Sequence, residues 1–468
     1  VCAGDVFWAN AGDTSWSTPA NDTGDSPPLN QSGVIFSAVN QQIVYFADGA
    51  HWVFFTPLGG TINPSLPSYG ANTLNTWTPA TTDLLGNSIA SVFPIDADGN
   101  LPRLICNWRQ RICLAGLLLS PQDVFMSAQS DPTNFDYSPT FTSQTQAVAL
   151  NAQSSSGQVG DVVTALIPYT NDQLVIGCDH SIFLMDGDPM AGGQLVNVSN
   201  NIGIAYGAAW TVDPYGNIYF FSNHCGIYTL VPGQAPTRIS QQIEQLLANI
   251  DTGQNTITLL WNDRFQGLHV FISPTATNSQ YAVKDAGVAQ SPVTHLFYEQ
   301  RTGAWWQDQF ANQNHNPLTA VIFDGNTPDD RVPIIGSWDG YARAIDPFAT
   351  TDDSWPINSE VLLGPILTQD FDDMMCQEVQ GIMGEESGDV TISLYIGSTA
   401  EKALSSQPTF TGTLTAGRNY TKGLRGERCS GHAIYIGISS SNAWQMEGIR
   451  CRIEARGLGK VRRRAGPY

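Results

Sequence analysis

Four stretches of the chain repeat one pattern: an apolar run, a polar turn of two to four residues, and a second apolar run. They are "IVYFADGAHWVFF" (43–55), "LVIGCDHSIFLMD" (174–186), "IYFFSNHCGIYTL" (218–230) and "PIIGSWDGYARAI" (333–345). The turns hold Asp48-Gly49, Asp179-His180, Asn223-His224-Cys225-Gly226 and Asp339-Gly340. These residue types tolerate left-handed backbone angles, so each stretch predicts a β-hairpin. "RICLAGLLLSPQDVFMSA" (111–128) fits the same scheme more loosely, as does "FQGLHVFISP" (265–274), which a long polar excursion separates from "HLFYEQRTGAWWQDQF". About six hairpins at a spacing of roughly 45–75 residues overlap the period of propeller blades. A lone hairpin is marginal in water, whereas four-stranded blades set radially bury their faces on one another. The expected fold is therefore all-β, with an irregular β-propeller of about six blades over residues 31–350 after an N-terminal arm, residues 1–30.

After the polar link "DPFATTDDSWPINSE" (346–360) the pattern changes. "DVTISLYIG" (389–397), "HAIYIGISS" (432–440) and "GIRCRIEAR" (448–456) alternate apolar and polar residues, which predicts a C-terminal sandwich-like β domain over residues 351–456. A single helix is expected at "SQQIEQLLANIDTG" (240–253), with Ser240 as N-cap and a stripe of Ile243, Leu246, Leu247 and Ile250, packed on the propeller as a lid.

Composition agrees with many short strands: 13% of residues are charged, 42% apolar, with 44 Gly and 27 Pro. Charge adds a second division. Of 21 Lys+Arg, 11 lie in residues 418–468 beside 3 of the 42 Asp+Glu, which leaves the first 417 residues with 10 basic against 39 acidic side chains. An acidic body repels nucleic acid and anionic membranes, so contact with an anion is expected only from the last residues, Arg450 to Arg464. Within the terminal arm, residues 457–468, and at its root, Arg456, Lys460, Arg462, Arg463 and Arg464 are the candidate partner-binding residues, broken from the preceding β-run by Gly457 and Gly459. A solvated charged end is the competing interpretation.

The 8 cysteines are dispersed, with no C-x-x-C, and most sit in apolar runs, which favours small buried hydrophobes and a reducing site of folding. No stretch approaches the roughly 20 apolar residues of a membrane span, and no signal peptide opens the chain, so a soluble protein without membrane insertion is expected. The chain begins at Val1, which implies a processed N-terminus or an incomplete sequence.

Chemistry is sparse. "DADGN" (96–100) resembles the first half of a calcium loop but lacks the distal bidentate Glu, so an acidic surface turn is the better interpretation, and Asp186 and Asp188 are treated alike. "RTGAWW" (301–306) has the Gly and aromatic of a sialidase turn but Gln300 and Arg301 where an acid is needed, and the propeller's arginines are scattered. There is no G-x-S-x-G, no H-E-x-x-H and no P-loop. The expectation is a non-enzyme with no catalytic residue, cofactor or metal. Paired carboxylates for glycosidic cleavage, which meet only in space, stay open.

Several phrases, taken in order, resemble one family. "QRICLAG", "DVFMS" and "SDPTNF" are followed by "NDQLVIGCDHSIFLMDG", "GIAYGAAWTVDPYGNIYFFSNHCGIYTL", "PTRISQQIEQLL", "YEQRTGAWWQDQF" and "GIRCRIEARGLGKVRRR". The series is similar to the tail nozzle, or tail-tube, proteins of short-tailed bacteriophages over about residues 100–464. In "SDPTNF" the Asp131 and Asn134 side chains are placed to bond the backbone and Phe135 to fold back onto its blade, so this polar phrase serves shape. The resemblance implies a structural virion protein, assembled in the host cytoplasm and located in the virion tail. It further implies a homo-oligomeric hexameric ring that contacts the head-to-tail adaptor and tail fibre or needle proteins, with genomic DNA passing transiently through it at ejection. A glycan-binding or glycan-cleaving tail propeller and a non-viral propeller scaffold are the alternatives.

Overall fold

A computed structural model describes residues 5–9, 15–30, 34–138, 145–153, 155–224, 226–248, 250–274, 294–310, 312, 315–325, 331–346, 349–367, 373–420 and 430–456. Two compact units emerge. The first comprises Val1–Gln309 and Asn314–Ile345, the second Phe310–Gln313 and Asp346–Tyr468.

Among the described residues the first unit carries six sheets, and all but the first follow chain order strand by strand. The first sheet runs Ala20–Asn21, Thr73–Thr76, Trp52–Thr56, Ile43–Ala47, Phe36–Asn40. Its Ala20–Asn21 pairs in parallel with Thr73 and Leu74, and Val6 and Leu29 join its core, so part of the N-terminal segment belongs to this sheet. The second holds Leu104–Trp108, Arg111–Ala115, Val124–Met126 and Val148–Ala149. The third holds Val163–Pro168, Gln173–Cys178, Ile182–Asp186 and Gln194–Ser199. The fourth holds Trp210–Val212, Ile218–Ser222, Gly226–Leu230 and Thr237–Arg238. The fifth holds Asn255–Asn262, Gly267–Pro274, Thr294–Glu299 and Ala304–Asp308. The sixth has three strands, Pro317–Phe323, Val332–Ser337 and Ala342–Ala344. All six expected hairpins are present as adjacent antiparallel strands.

The core is a series of lenses between consecutive sheets, which is what makes the unit propeller-like. Tyr45, Phe54 and Trp77 of the first blade meet Ile112, Leu114 and Phe135 of the second. Cys113 and Met126 meet Leu166 and Ile176 of the third, Val175 and Ile182 meet Ile218 and Phe220 of the fourth, and Phe221 and Ile227 meet Ile257 and Leu268 of the fifth. Inner strands are covered on both faces, so they read as continuous apolar runs rather than alternating ones. In Gln173–Cys178, Leu174, Ile176 and Cys178 face one neighbour while Val175 faces the other.

The expected helix over 240–253 is shorter than its stripe. Gln241–Ile243 form one 3-10 turn and Glu244–Leu247 one α-turn. Ser240 makes no cap, because its hydroxyl accepts from the Ile227 N–H of the neighbouring strand. Leu247 is buried with Ile243 and Ile250 packed beside it, while Leu246 is exposed.

In the second unit Ser359–Ile366, Ala433–Ser440, Val390–Gly397 and Phe410–Leu414 form one sheet. The other centres on Asp373–Met383, flanked by Gly417–Tyr420, Ser430–Gly431 and Met446–Arg456. Met374, Cys376, Val379 and Met383 of the second sheet share one core with Ile392, Leu394, Ile434 and Ile436 of the first, a two-sheet sandwich built by alternation that bulges interrupt.

Candidate functional site

The last described strand, Met446–Arg456, carries the start of the basic segment. Alternation sorts its side chains. Ile449, Cys451 and Ile453 pack on the sandwich core, while Arg450 and Arg452 are exposed. Arg450 pairs in register with Gln380 and Arg452 with Glu378, so the only acid directly opposite these cations is Glu378. Arg456 ends the strand opposite Asp373. Lys460, Arg462, Arg463 and Arg464 lie outside the described residues. The exposed face of this strand thus carries Arg450 and Arg452 beside Glu454, with Glu378 opposite on the neighbouring strand.

Other polar residues that drew notice in the sequence are engaged in holding the fold. In "DADGN", Asp96 turns inward and accepts from the N–H groups of Asp98, Asn100 and Leu119 and from the Asn100 side chain. Burial raises its carboxyl, but the Asn100 side chain and these N–H groups outweigh that and hold it below the usual range. The same D-x-x-G-N device recurs at Asp83, which accepts from Leu85, Asn87 and the Asn87 amide, and at Asp213, which accepts from Tyr215, Asn217 and the Asn217 amide. In each the fourth residue, Gly86, Gly99 or Gly216, has φ near +85°.

In the phrase 127–138, Asp131 accepts from the Thr133 N–H and hydroxyl and from Asn63, and Asn134 accepts from the Asp136 N–H. Burial nonetheless raises the Asp131 carboxyl, with Thr133 and Asn63 opposing it. Phe135, fully buried, packs edge-on against Phe93 and Trp77. The phrase closes its blade.

Asp188 corrects the expectation of a surface turn. It is 7% exposed and pairs at 3.3 Å with Arg111, which is itself fully buried. Arg111 also donates to the carbonyls of Ser127 and Gln146. This ties the second sheet to the loop between the third and fourth strands of the third, a contact the sequence hid because its partners stand 77 residues apart.

A further cluster, which the sequence reading missed, brings His269, His295 and Asp308 to one face of the fifth sheet, with ligand atoms within 4.8 Å of one another. Two imidazoles and a carboxylate are a donor set that transition metals favour. Hydrogen bonds link the same side chains. Asn262 Oδ1 accepts from the N–H groups of Arg264 and Phe265, so its Nδ2 faces His269 Nε2 at 3.2 Å and makes that nitrogen an acceptor. The His269 proton then sits on Nδ1 and bridges to His295 Nε2 at 3.0 Å. Asn262, His269 and His295 thus form a buried hydrogen-bonded strut on the face that also carries Asp308. Burial pushes His269 down to about 4, and burial, followed by the charge of His269, holds His295 well below the usual histidine range. Asp308 is raised by burial to about 6, although its side chain is 45% exposed, so the surrounding protein crowds it without removing it from water.

No known family's sequence profile matches the chain, and no curated protein matches it. Solved structures similar to it include the WD40 β-propeller domain of Doa1, at 11% identity over 75% of this chain and 88% of that one, with a TM-score of 0.37. The tricorn protease aligns at 12% identity over 74% of this chain and 32% of its own, TM-score 0.35. The extracellular domain of the putative one-component system BT4673 from B. thetaiotaomicron aligns at 10% identity over 74% of this chain, TM-score 0.32, and this chain spans 43% of that domain. At these scores the propeller assignment rests on the meandering sheets and the lenses between them.

Proposed function

We propose that this protein is a structural component of a short-tailed phage virion, a subunit of the ring-shaped tail nozzle through which the genome leaves and to which fibres or a needle attach. The observation that carries the reading is the ordered series of phrases over about residues 100–464 that resembles that family. Their architectural use supports it. "SDPTNF" closes a blade, "DPYGN" makes a carboxylate-bound turn, and "GIRCRIEAR" forms the strand that presents Arg450 and Arg452. The charge division supports it as well: an acidic body does not retain DNA phosphates passing it, while a basic end suits attachment to an acidic neighbour.

In this reading six copies form a closed ring by head-to-tail contacts, the basic end grips the adaptor or a neighbouring copy, and no bond is made or broken. Imaging of the native particle tests it. A ring of six copies of this chain at the tail is the expected outcome; isolated monomers or two-fold dimers on the particle's flank would refute it. Screening the purified chain on host polysaccharide is the companion measurement, with no cleavage expected. Reproducible cleavage abolished by one Asp or Glu substitution would replace the nozzle with a sugar-cleaving propeller.

A further inference from the structure

Cys376 and Cys451 face each other across the two longest strands of the second unit, Asp373–Met383 and Met446–Arg456, with Sγ atoms 3.2 Å apart. A bulge between Cys376 and Glu378 shifts the register there, so the two cysteines are diagonal partners whose side chains enter the same core. A disulfide needs about 2.05 Å between sulfurs, about 1.2 Å less than their separation here. Access is one-sided: Cys376 is fully buried, whereas Cys451 is partly exposed between the exposed Arg450 and Arg452. The Cys376 thiol, in hydrogen-bond contact, holds the Cys451 thiol below its usual value, which favours the thiolate there.

We propose that Cys376 and Cys451 are a disulfide-forming site, in which Cys451 is the attacking thiol, Cys376 the resolving thiol, and a low-molecular-weight disulfide the oxidant. In the first step the Cys451 thiolate attacks one sulfur of the oxidant, whose S–S bond breaks and releases one thiolate. The product is a mixed disulfide on Cys451. In the second step Cys376 gives its proton to that thiolate and attacks Cys451 Sγ, expelling the second thiolate. Two protein thiols are oxidised and one small disulfide is reduced to two thiols. The new bond pins the strand that bears Arg450 and Arg452 to the middle of its sheet and closes a loop between residues 75 apart. The buried pair Cys106 and Cys113, directly opposite each other in the second sheet, is 6% and 0% exposed and offers the same reagent no entry. The inference stands whether or not the nozzle reading holds.

The test treats the folded full chain with oxidised glutathione, blocks remaining thiols, and maps disulfides by peptide mass. The expected result is a Cys376–Cys451 cross-link without retained glutathione, and a melting temperature of the second unit raised on the order of 10 °C and reversed by dithiothreitol. Cys376→Ser should trap glutathione on Cys451, and Cys376→Ala should do the same if the serine variant folds poorly. Full blocking of both thiols after treatment, glutathione retained on Cys451 in the unaltered chain, or a cross-link between other cysteines would each overturn the proposal.

Discussion

Arg111 links the second and third blades through one buried guanidinium. Its guanidinium is fully buried, and Arg111→Met would leave the Asp188 carboxylate only the longer 3.6 Å contact with Arg109 and would leave two carbonyls without their donor. Breaking such a pair typically costs about 3–5 kcal/mol, so a large fall in the melting temperature of the first unit is expected, partly recovered by Arg111→Met with Asp188→Asn. Retention of wild-type stability by the single variant would show that the pair is dispensable. The strut in the fifth blade predicts a pH dependence. His269 sits at about 4, below the ordinary 6.5 of an unfolded chain. As pH falls through 6.5 the unfolded chain takes a proton that the folded one refuses until about 4. Stability present above 6.5 is lost across that window, by on the order of 3 kcal/mol at most. Asp308, raised to about 6, works the other way, because the folded carboxyl takes its proton before the unfolded one and so recovers stability as pH falls; its exposure keeps this smaller. The turn carboxylates Asp83 and Asp96 are held low, so their contribution is lost only as pH falls from the ordinary carboxylate value, below most of the window. Asp308→Asn should therefore steepen the decline in thermal stability between pH 6.5 and 4, measured by melts of the full chain. An unchanged slope would mean that Asp308 keeps its ordinary affinity for protons.

At the level of elements, the connection between the third and fourth blades is a docked strut rather than a loose loop. Ile204 donates its N–H to the Cys178 carbonyl, its own carbonyl accepts from Thr164, and Ala205 donates to Phe221. Gly203 allows this approach, since an added Cβ would collide with the carbonyl oxygens of Cys178 and Asp179. Gly177 gives Ile204 its place, with an added Cβ only 2.7 Å from Ile204 Cδ1. Gly203→Ala is expected to destabilise by about 1–3 kcal/mol or more, and Gly177→Ala comparably, while Gly160→Ala, with open space around it, should stay within about 0.5 kcal/mol. Denaturant midpoints of the three variants check this, and a tolerated Gly203→Ala would show that the strut can move away. Most of the hairpins were legible because they are local: the two runs and the turn residues are contiguous, and the turn chemistry favours the pairing, whereas Gly267–Pro274 and Thr294–Glu299 pair across a long excursion. The 240–253 stretch misled because a helical stripe is also satisfied by two short turns when a neighbouring strand takes the intended cap, Ser240. The His269–His295 contact and the Arg111–Asp188 pair were illegible for the opposite reason, since blade packing creates both and no local spacing marks them. The D-x-x-G-N turns were readable in principle, as one of them was noticed at Asp96 and the other two repeat its spacing.

At the scale of the whole molecule the deciding feature is charge, which separates an acidic body from a basic end. In the described part of that end, Arg450 and Arg452 lie on the outer face of their strand and are matched in register by one acid, Glu378. Single exposed ion pairs contribute about 0.2–1 kcal/mol, too little to hold a partner one at a time. In the proposed ring the same contact repeats in every copy, and multivalency converts weak pairs into firm attachment without any new kind of contact. Such attachment weakens with salt, because exposed charges are screened within about 8 Å at physiological ionic strength. Replacing Arg462, Arg463 and Arg464 together with Ala, and following attachment of the protein to tail-less heads across a salt series, separates this tie from a solvated end. If the arm is the tie, the variant attaches poorly at low salt and its remaining attachment depends less on salt, because the charges that salt screens have been removed. Attachment equal to that of the unaltered chain at every salt would show that the last residues carry no contact, and would leave the exposed face of Arg450 and Arg452 as the part of the basic segment to test next.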